Sequence, residues 1–419
     1  MRPFSIARFF SSRFKAFPSK SHVTELLLNI SKQPNSIDLY HGIPNLPIPS
    51  FFQSILSEKL SVPLSHQYVR SYGNLNLVTK IAQIYSPFFK RTIDPLNEVL
   101  MVPGSSSAIF AAIQGLINPN DYAIIFEPNE RIYRETVMFH QGKCVEISLI
   151  PEAQEWAINY IALEETLRKN SEVKLLIISS PQSPIGKVFS QKEIDMLQYI
   201  LKKHPQVNIL FDASFEKIVF DPEIKTVGIQ NEEFWKRCVT VFSADKAFCS
   251  TGLNLAWVIG HPDVLNRVKY VHNISTFCMY NPMQMALDEA LTLAEEKYQS
   301  EPSYYTYINK IMKKNMEKIT EAMNKNEIFK TCKQDILSKG GYSMFFDISK
   351  AKFANIADRD KMISMGMGVD KKVVMGPGSF YIGENNKVLK GKFLKIDLCR
   401  SEEEVQDVCG RLGRKENIL

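Results

Sequence analysis

"SADKAFCSTGLNLAWVIG", residues 243–260, decides the fold. It closes one apolar run, "VTVFSA" (239–244), turns through small and polar residues around Lys246, and opens a second run, "LAWVIG" (255–260). Upstream, "LLIISS" (175–180) and "VNILFD" (207–212) have the same form. Short apolar runs that end in small or polar residues read as strands buried on both faces. Longer helical patterns alternate with them, which predicts a mostly parallel sheet. Ligands bind at the carboxyl ends of such strands. The segments to inspect are therefore "SPQSPIGK" (180–187), "DASF" (212–215) and "SADK" (243–246), three polar clusters at three consecutive strand ends. In a fourth segment, "MVPGSSSAIFAAIQGL" (101–116), Gly104, Ser105, Ser106 and Ser107 lead into a helical pattern. Small residues at a helix N-terminus expose backbone N–H groups to a phosphate.

The whole chain of 419 residues, 45% hydrophobic and 23% charged, is long enough for a sizeable core and two or three packed units. No apolar run approaches the roughly 20 residues that span a bilayer, so the mature protein is expected to be soluble rather than membrane-spanning. The seven cysteines form no CxxC pair and have no histidine at ligand spacing, which reads as reduced thiols and no zinc or other metal site.

The first stretch, "MRPFSIARFFSSRFKAFPSKSHVT" (1–24), carries five basic residues, five serines and no acid. That pattern matches a mitochondrial transit peptide, and "RFFS" (8–11) resembles a matrix-protease cleavage site. The expected location is the mitochondrial matrix. Without this arm the formal charge of +6 falls to +1, from 46 Lys and Arg against 45 Asp and Glu. A body so nearly neutral gives no footprint for nucleic acid.

Taken together, the segments resemble the fold-type I pyridoxal-phosphate aminotransferases of class I/II, most closely the kynurenine and glutamine transaminase branch. The resemblance runs over about residues 37–415 through "IDLYHGIPNLPIPSF", "QYVRSYGNLNL", "IDPLNEVLMVPGSSSAIF", "IIFEPNERIY", "SSPQSPIGKVFSQKEI", "SADKAFCSTGLNLAWVIG", "KGGYSMFFDIS" and "GPGSFY", in the family's order. It implies an α/β fold with a mixed, mainly parallel sheet flanked by helices and a smaller α+β domain. The expected division is a presequence (1–24), an N-terminal arm packing with the small domain (25–49), a large domain (50–290) and a small C-terminal domain (291–419).

Residue by residue, the resemblance makes Lys246 the lysine that forms an imine with pyridoxal phosphate, and Asp212 the carboxylate paired with the ring nitrogen. A lysine amine forms the imine and shuttles a proton, while an anion keeps the ring nitrogen protonated as an electron sink. Ser243, Gly104, Ser105 and Ser106 fall on phosphate-contacting positions. Tyr68 matches a tyrosine that reaches the phosphate of the neighbouring subunit, so the resemblance implies a homodimer or a dimer with a paralogue. Gly42 lies in the N-terminal segment that borders the substrate. Amino acids and 2-oxo acids would be the substrates.

The departures fall around the same cofactor. Ser183 replaces the asparagine of the family's N-P-x-G turn, and Phe215 replaces the tyrosine that bonds the phenolic oxygen. Both changes shorten or remove hydrogen bonds that tune the imine proton. Asn254 stands where a cation neutralises the phosphate, and a charge-assisted bond is worth about 1.5–3 kcal/mol. Glu130 takes the place of the aromatic residue that stacks on the ring. Lys395 replaces the arginine that grips the substrate carboxylate, and a point charge cannot hold two oxygens in a planar fork. The expectation is weak or absent cofactor binding and reduced or lost catalysis. The alternative is a catalytically inactive structural subunit of a mitochondrial assembly.

Overall fold

A computed structural model describes residues 22–414 except 153, 333, 335 and 354. Its centre is a seven-stranded sheet of β1 (Val99–Pro103), β2 (Tyr122–Glu127), β3 (Lys143–Ser148), β4 (Val173–Ser179), β5 (Asn208–Asp212), β6 (Cys238–Ser243) and β7 (Leu255–Gly260), in the spatial order β1-β7-β6-β5-β4-β2-β3. The four runs expected as strands are β4 to β7, within two residues at each end. All pairings are parallel except those of β7, which runs antiparallel to both β1 and β6.

Period-2 alternation divides the core between the two faces of the sheet. Leu176, Ile178, Ile209, Phe211 and Phe242 belong to one apolar cluster. Their neighbours Leu175, Ile177, Leu210 and Val241 belong to the other, together with Ala108, Ala112, Val264 and Val268 of the helices Gly104–Leu116 and Pro262–Ser275. Burial on both faces explains why these strands read as continuous apolar runs. Because β7 is reversed, it begins at the edge where the other strands end. Asn254, just before it, therefore lies near Gly104, just after β1.

A second, three-stranded antiparallel sheet has the order β8-β10-β9, from β8 (Ser343–Asp347), β9 (Gly376–Pro377) and β10 (Phe393–Asp397). The helices Tyr304–Lys325 and Glu402–Leu412 pack with each other beside it. Buried Asn315 ties the first of them to the chain leaving β10, donating to the carbonyls of Leu398 and Arg400. The N-terminal segment joins this part of the molecule. Ile37–Asp38 pairs in parallel with Val373–Val374, and the Asp397 N–H donates to the Leu39 carbonyl at 2.8 Å. That contact carries Gly42 to the end of β10. The expected presequence lies outside the described residues apart from residues 22–24, which open the helix His22–Ser31.

Candidate functional site

A cavity of about 410 Å³ opens at the carboxyl ends of the central strands, facing the second sheet. Nine of the residues expected at the site line it: Gly42, Ser105, Ser106, Glu130, Ser183, Asp212, Phe215, Lys246 and Lys395. Gly104, Ser243, Asn254 and Tyr68 do not.

Asp212 ends β5 and is 5% exposed. Its Oδ1 accepts from the Ser214 N–H (2.9 Å) and hydroxyl (2.5 Å), and its Oδ2 accepts from the Tyr133 hydroxyl at 2.6 Å. A buried charge is tolerated only when hydrogen-bonded in this way. Burial, reinforced by the Asp212 charge, raises the Tyr133 phenol well above its usual range, so it remains a proton donor. The sequence reading missed both partners, although simple signals exist for each. Ser214 stands two residues after Asp212, the spacing of a side chain that turns its own backbone. Tyr133 lies on the helix Arg131–Phe139, one turn beyond Glu130.

Lys246 sits on the single turn Ala244–Ala247 that follows β6. Its half-buried ammonium lies 5.8 Å from the ring centres of both Phe215 and Tyr342. Its carbonyl accepts from the Tyr342 hydroxyl at 2.5 Å. Three residues later, the Cys249 sulfur lies 3.5 Å from that of Cys399, beyond β10. Asp245 is buried and accepts from the Leu255 N–H at 2.6 Å, and burial pushes its carboxyl up to about 7.

At the expected phosphate end, Gly104 has φ +81°, and a Cβ there would come within 3.1 Å of Asn254 Oδ1. Asn254 is exposed and itself left-handed, with φ 52°. Ser243 is buried, and among the described residues its hydroxyl has no hydrogen-bond partner. A buried hydroxyl without a partner is costly, so it marks a place where a ligand acceptor fits. With the unpaired Ser243 hydroxyl, the serines at the start of the helix Gly104–Leu116, a lysine and an opposed buried carboxylate, the residues present fit pyridoxal phosphate, though with fewer donors than the resemblance implies.

Elsewhere in the cavity, Ser183 donates to Glu130 at 2.6 Å. Phe215 packs on Tyr342 with ring centres 5.2 Å apart and carries no donor. Lys395 is buried, and its ammonium donates to the Tyr40 carbonyl at 2.7 Å and pairs with Asp397 at 2.5 Å. The other Asp397 oxygen accepts from the Gly42 N–H at 2.6 Å and lies 3.7 Å from Arg400. Asp397 was not singled out from the sequence, yet it stands two residues after Lys395 on one strand, which puts both on the same face. Tyr68 is 84% exposed and packs its ring edge-on against Phe277, outside the cavity.

Among the described residues no cluster of His, Cys, Asp and Glu is arranged to hold a metal ion, and no helix is long and apolar enough to cross a membrane. The family model for aminotransferase class I and II matches residues 40–412. A kynurenine–oxoglutarate transaminase of Dictyostelium discoideum is 25% identical over 400 residues, covering 89% of each chain. Human kynurenine–oxoglutarate transaminase 1 is 25% identical over 335 residues, covering 78% of each. Among solved structures, a methionine aminotransferase from Escherichia coli superposes with TM-score 0.83 at 19% identity, over 96% of this chain and 99% of the other. An N-succinyldiaminopimelate aminotransferase from Mycobacterium tuberculosis gives 0.84 at 20% identity, over 96% and 99%. These structural likenesses establish fold type I, and the match over residues 40–412 places the chain in the class I and II aminotransferase family.

Proposed function

We propose that the protein binds pyridoxal phosphate and transfers an amino group between an amine and a carbonyl compound, with Lys246 and Asp212 as its catalytic residues and with reduced activity toward the amino acid and 2-oxo acid pairs of its relatives. The observation that carries the reading is Asp212: a buried carboxylate held by three donors, lining the same cavity as a lysine. A buried, oriented anion of this kind suits a protonated ring nitrogen.

When bound, the cofactor supplies an electron sink for the bond broken at the amine-bearing carbon. Asp212 would hold the proton on the ring nitrogen, and Tyr133 and Ser214 fix the direction of its carboxylate. Lys246 Nζ takes the proton from the substrate carbon and returns it on the other side of the transfer. Phe215 and Tyr342 flank the lysine, each ring centre 5.8 Å from its ammonium. The Ser243 hydroxyl and the N-terminus of the helix Gly104–Leu116 would hold the phosphate.

Two features support the reduced activity. Asn254 contributes no charge to the phosphate end, and Lys395 is already paired with Asp397. The same features support the second reading, a catalytically inert subunit, whose distinguishing outcome is failure to take up the cofactor. The deciding measurement is the visible absorbance of the purified protein with added pyridoxal phosphate, for wild type, Lys246→Ala and Asp212→Asn, followed by turnover with L-kynurenine and 2-oxoglutarate. Lysine-dependent absorbance with slow turnover is expected. Absorbance identical in wild type and Lys246→Ala would overturn the proposal.

A further inference from the structure

The cavity contains a ready-made anion cradle. The Gly42 N–H and the Lys395 ammonium converge on one carboxylate, and a Cβ at Gly42 would lie 3.8 Å from Lys395 Nζ. The carboxylate they hold is the protein's own Asp397, which also lines the cavity. Both groups of the cradle are buried or backbone, and the side chains of the ion pair are 6% and 3% exposed. An ion pair so enclosed is costly to part, because separation leaves a buried charge without a partner.

The remaining charges of the cavity continue this pattern. His41 is bound to Asp38 at 2.6 Å. Arg131, half-exposed at the rim, pairs with Glu135 at 2.5 Å. Asp212 is held by Tyr133 and Ser214 with one acceptor site left for the ring nitrogen of the proposed function, and Lys246 is the reacting amine. Glu130 accepts from Ser183, and among the described residues it pairs with no cation. The cavity thus presents a satisfied cation at Lys395 and, at Glu130, an anion without an ion-pair partner among the described residues, which repels a carboxylate and attracts an ammonium.

We propose that Asp397 is a specificity-determining residue that fills the carboxylate cradle from within. The site then accepts primary amines that carry no carboxylate beside the amino group, and Glu130 favours those with a second ammonium, such as short aliphatic diamines. This rests on the proposed function above. It explains how Lys395 can stand in place without serving an amino acid. It also assigns Glu130 a ligand in place of a lost ring contact.

The full-length protein, treated with pyridoxal phosphate, is titrated with 1,4-diaminobutane, butylamine and L-glutamine while its visible absorbance is followed. The diamine is expected to act at a concentration about tenfold below that of butylamine, as expected for one added charge contact, with L-glutamine inactive over the same range. Glu130→Gln is expected to remove the difference between the two amines. A separate calorimetric titration uses butyrate and protein without cofactor. Wild type is expected not to bind, Asp397→Ala to bind through the freed cradle, and the double variant Lys395→Met/Asp397→Ala, which restores charge balance, not to bind. Activity of L-glutamine at the diamine's concentration, or its loss on Arg131→Ala, would overturn the inference, since rim Arg131 would then be the carboxylate site. Asp397→Ala failing to gain butyrate while remaining folded by circular dichroism would also overturn it. If that variant does not fold, Asp397→Asn takes its place under the same criterion. Failure of the wild type to take up pyridoxal phosphate overturns the proposed function, while the butyrate titration, which needs no cofactor, still decides on Asp397.

Discussion

Replacing Ser243 by alanine is expected to have opposite effects with and without the cofactor. The hydroxyl is buried and has no partner among the described residues. Burying an unpaired hydroxyl costs about 1–3 kcal/mol on mutational scales, and Ser243→Ala removes that cost. With an unfolding entropy of about 2.1 cal/mol/K per residue, a chain of this length has about 0.9 kcal/mol/K, so the unloaded variant should melt about 1–3 °C higher. With pyridoxal phosphate bound as proposed, the same hydroxyl is expected to donate to a charged phosphate. Losing that bond costs about 1.5–3 kcal/mol, or about tenfold to a hundredfold in Kd. Thermal unfolding without cofactor gives the first quantity, and titration followed by tryptophan fluorescence, Trp257 lying on β7 next to β6, gives the second. A lower melting temperature in the unloaded variant, or an unchanged Kd, would refute the assignment of Ser243 to the phosphate.

Asn254→Arg should tighten cofactor binding by about tenfold to a hundredfold, from the about 1.5–3 kcal/mol of a charged donor, while about 1 kcal/mol of left-handed backbone strain at this position lowers the stability of the unloaded protein; a cofactor titration in low and high salt checks the first and thermal unfolding the second. Asp245, with its carboxyl raised to about 7 by burial, binds more protons folded than unfolded, so its contribution to stability is present below the unfolded value near 3.8 and lost as pH rises through about 7. Asp245→Asn should therefore melt above wild type at pH 8 and lose that advantage near pH 4, and equal melting temperatures at both pH values would contradict the shift. Residues 1–30 fused to a fluorescent reporter should carry it to the mitochondrial matrix, and a diffuse cytosolic signal would remove the transit-peptide reading.

Strand ends were the most legible part of the molecule. β4 to β7 announce themselves because both of their faces are buried, leaving no polar alternation to confuse a strand with an exposed segment. The clusters that hold Lys246 and Asp212 were legible as cavity-lining for a related reason, since polar groups directly after such runs lie at the sheet's carboxyl edge, while the roles expected of the two residues came from the family resemblance. The site's second layer was not legible. Tyr133 reaches Asp212 across 79 residues of chain, and no local period reports a contact of that range. Lys395 was read as a weakened cation because its identity was visible while its partner was not. The strand face it shares with Asp397, and the close approach of the Gly42 backbone 355 residues away, emerge only when the N-terminal segment lies against β10.

The bond from Tyr342 to the Lys246 carbonyl has a mechanical consequence. Tyr342 directly precedes β8, and its own carbonyl accepts from the Leu398 N–H at 2.7 Å, just past β10. Together with the Cys249–Cys399 contact, this makes the lysine's backbone a tie rod between the two sheets. Swinging the second sheet outward would therefore have to break these contacts or carry the Lys246 backbone with it.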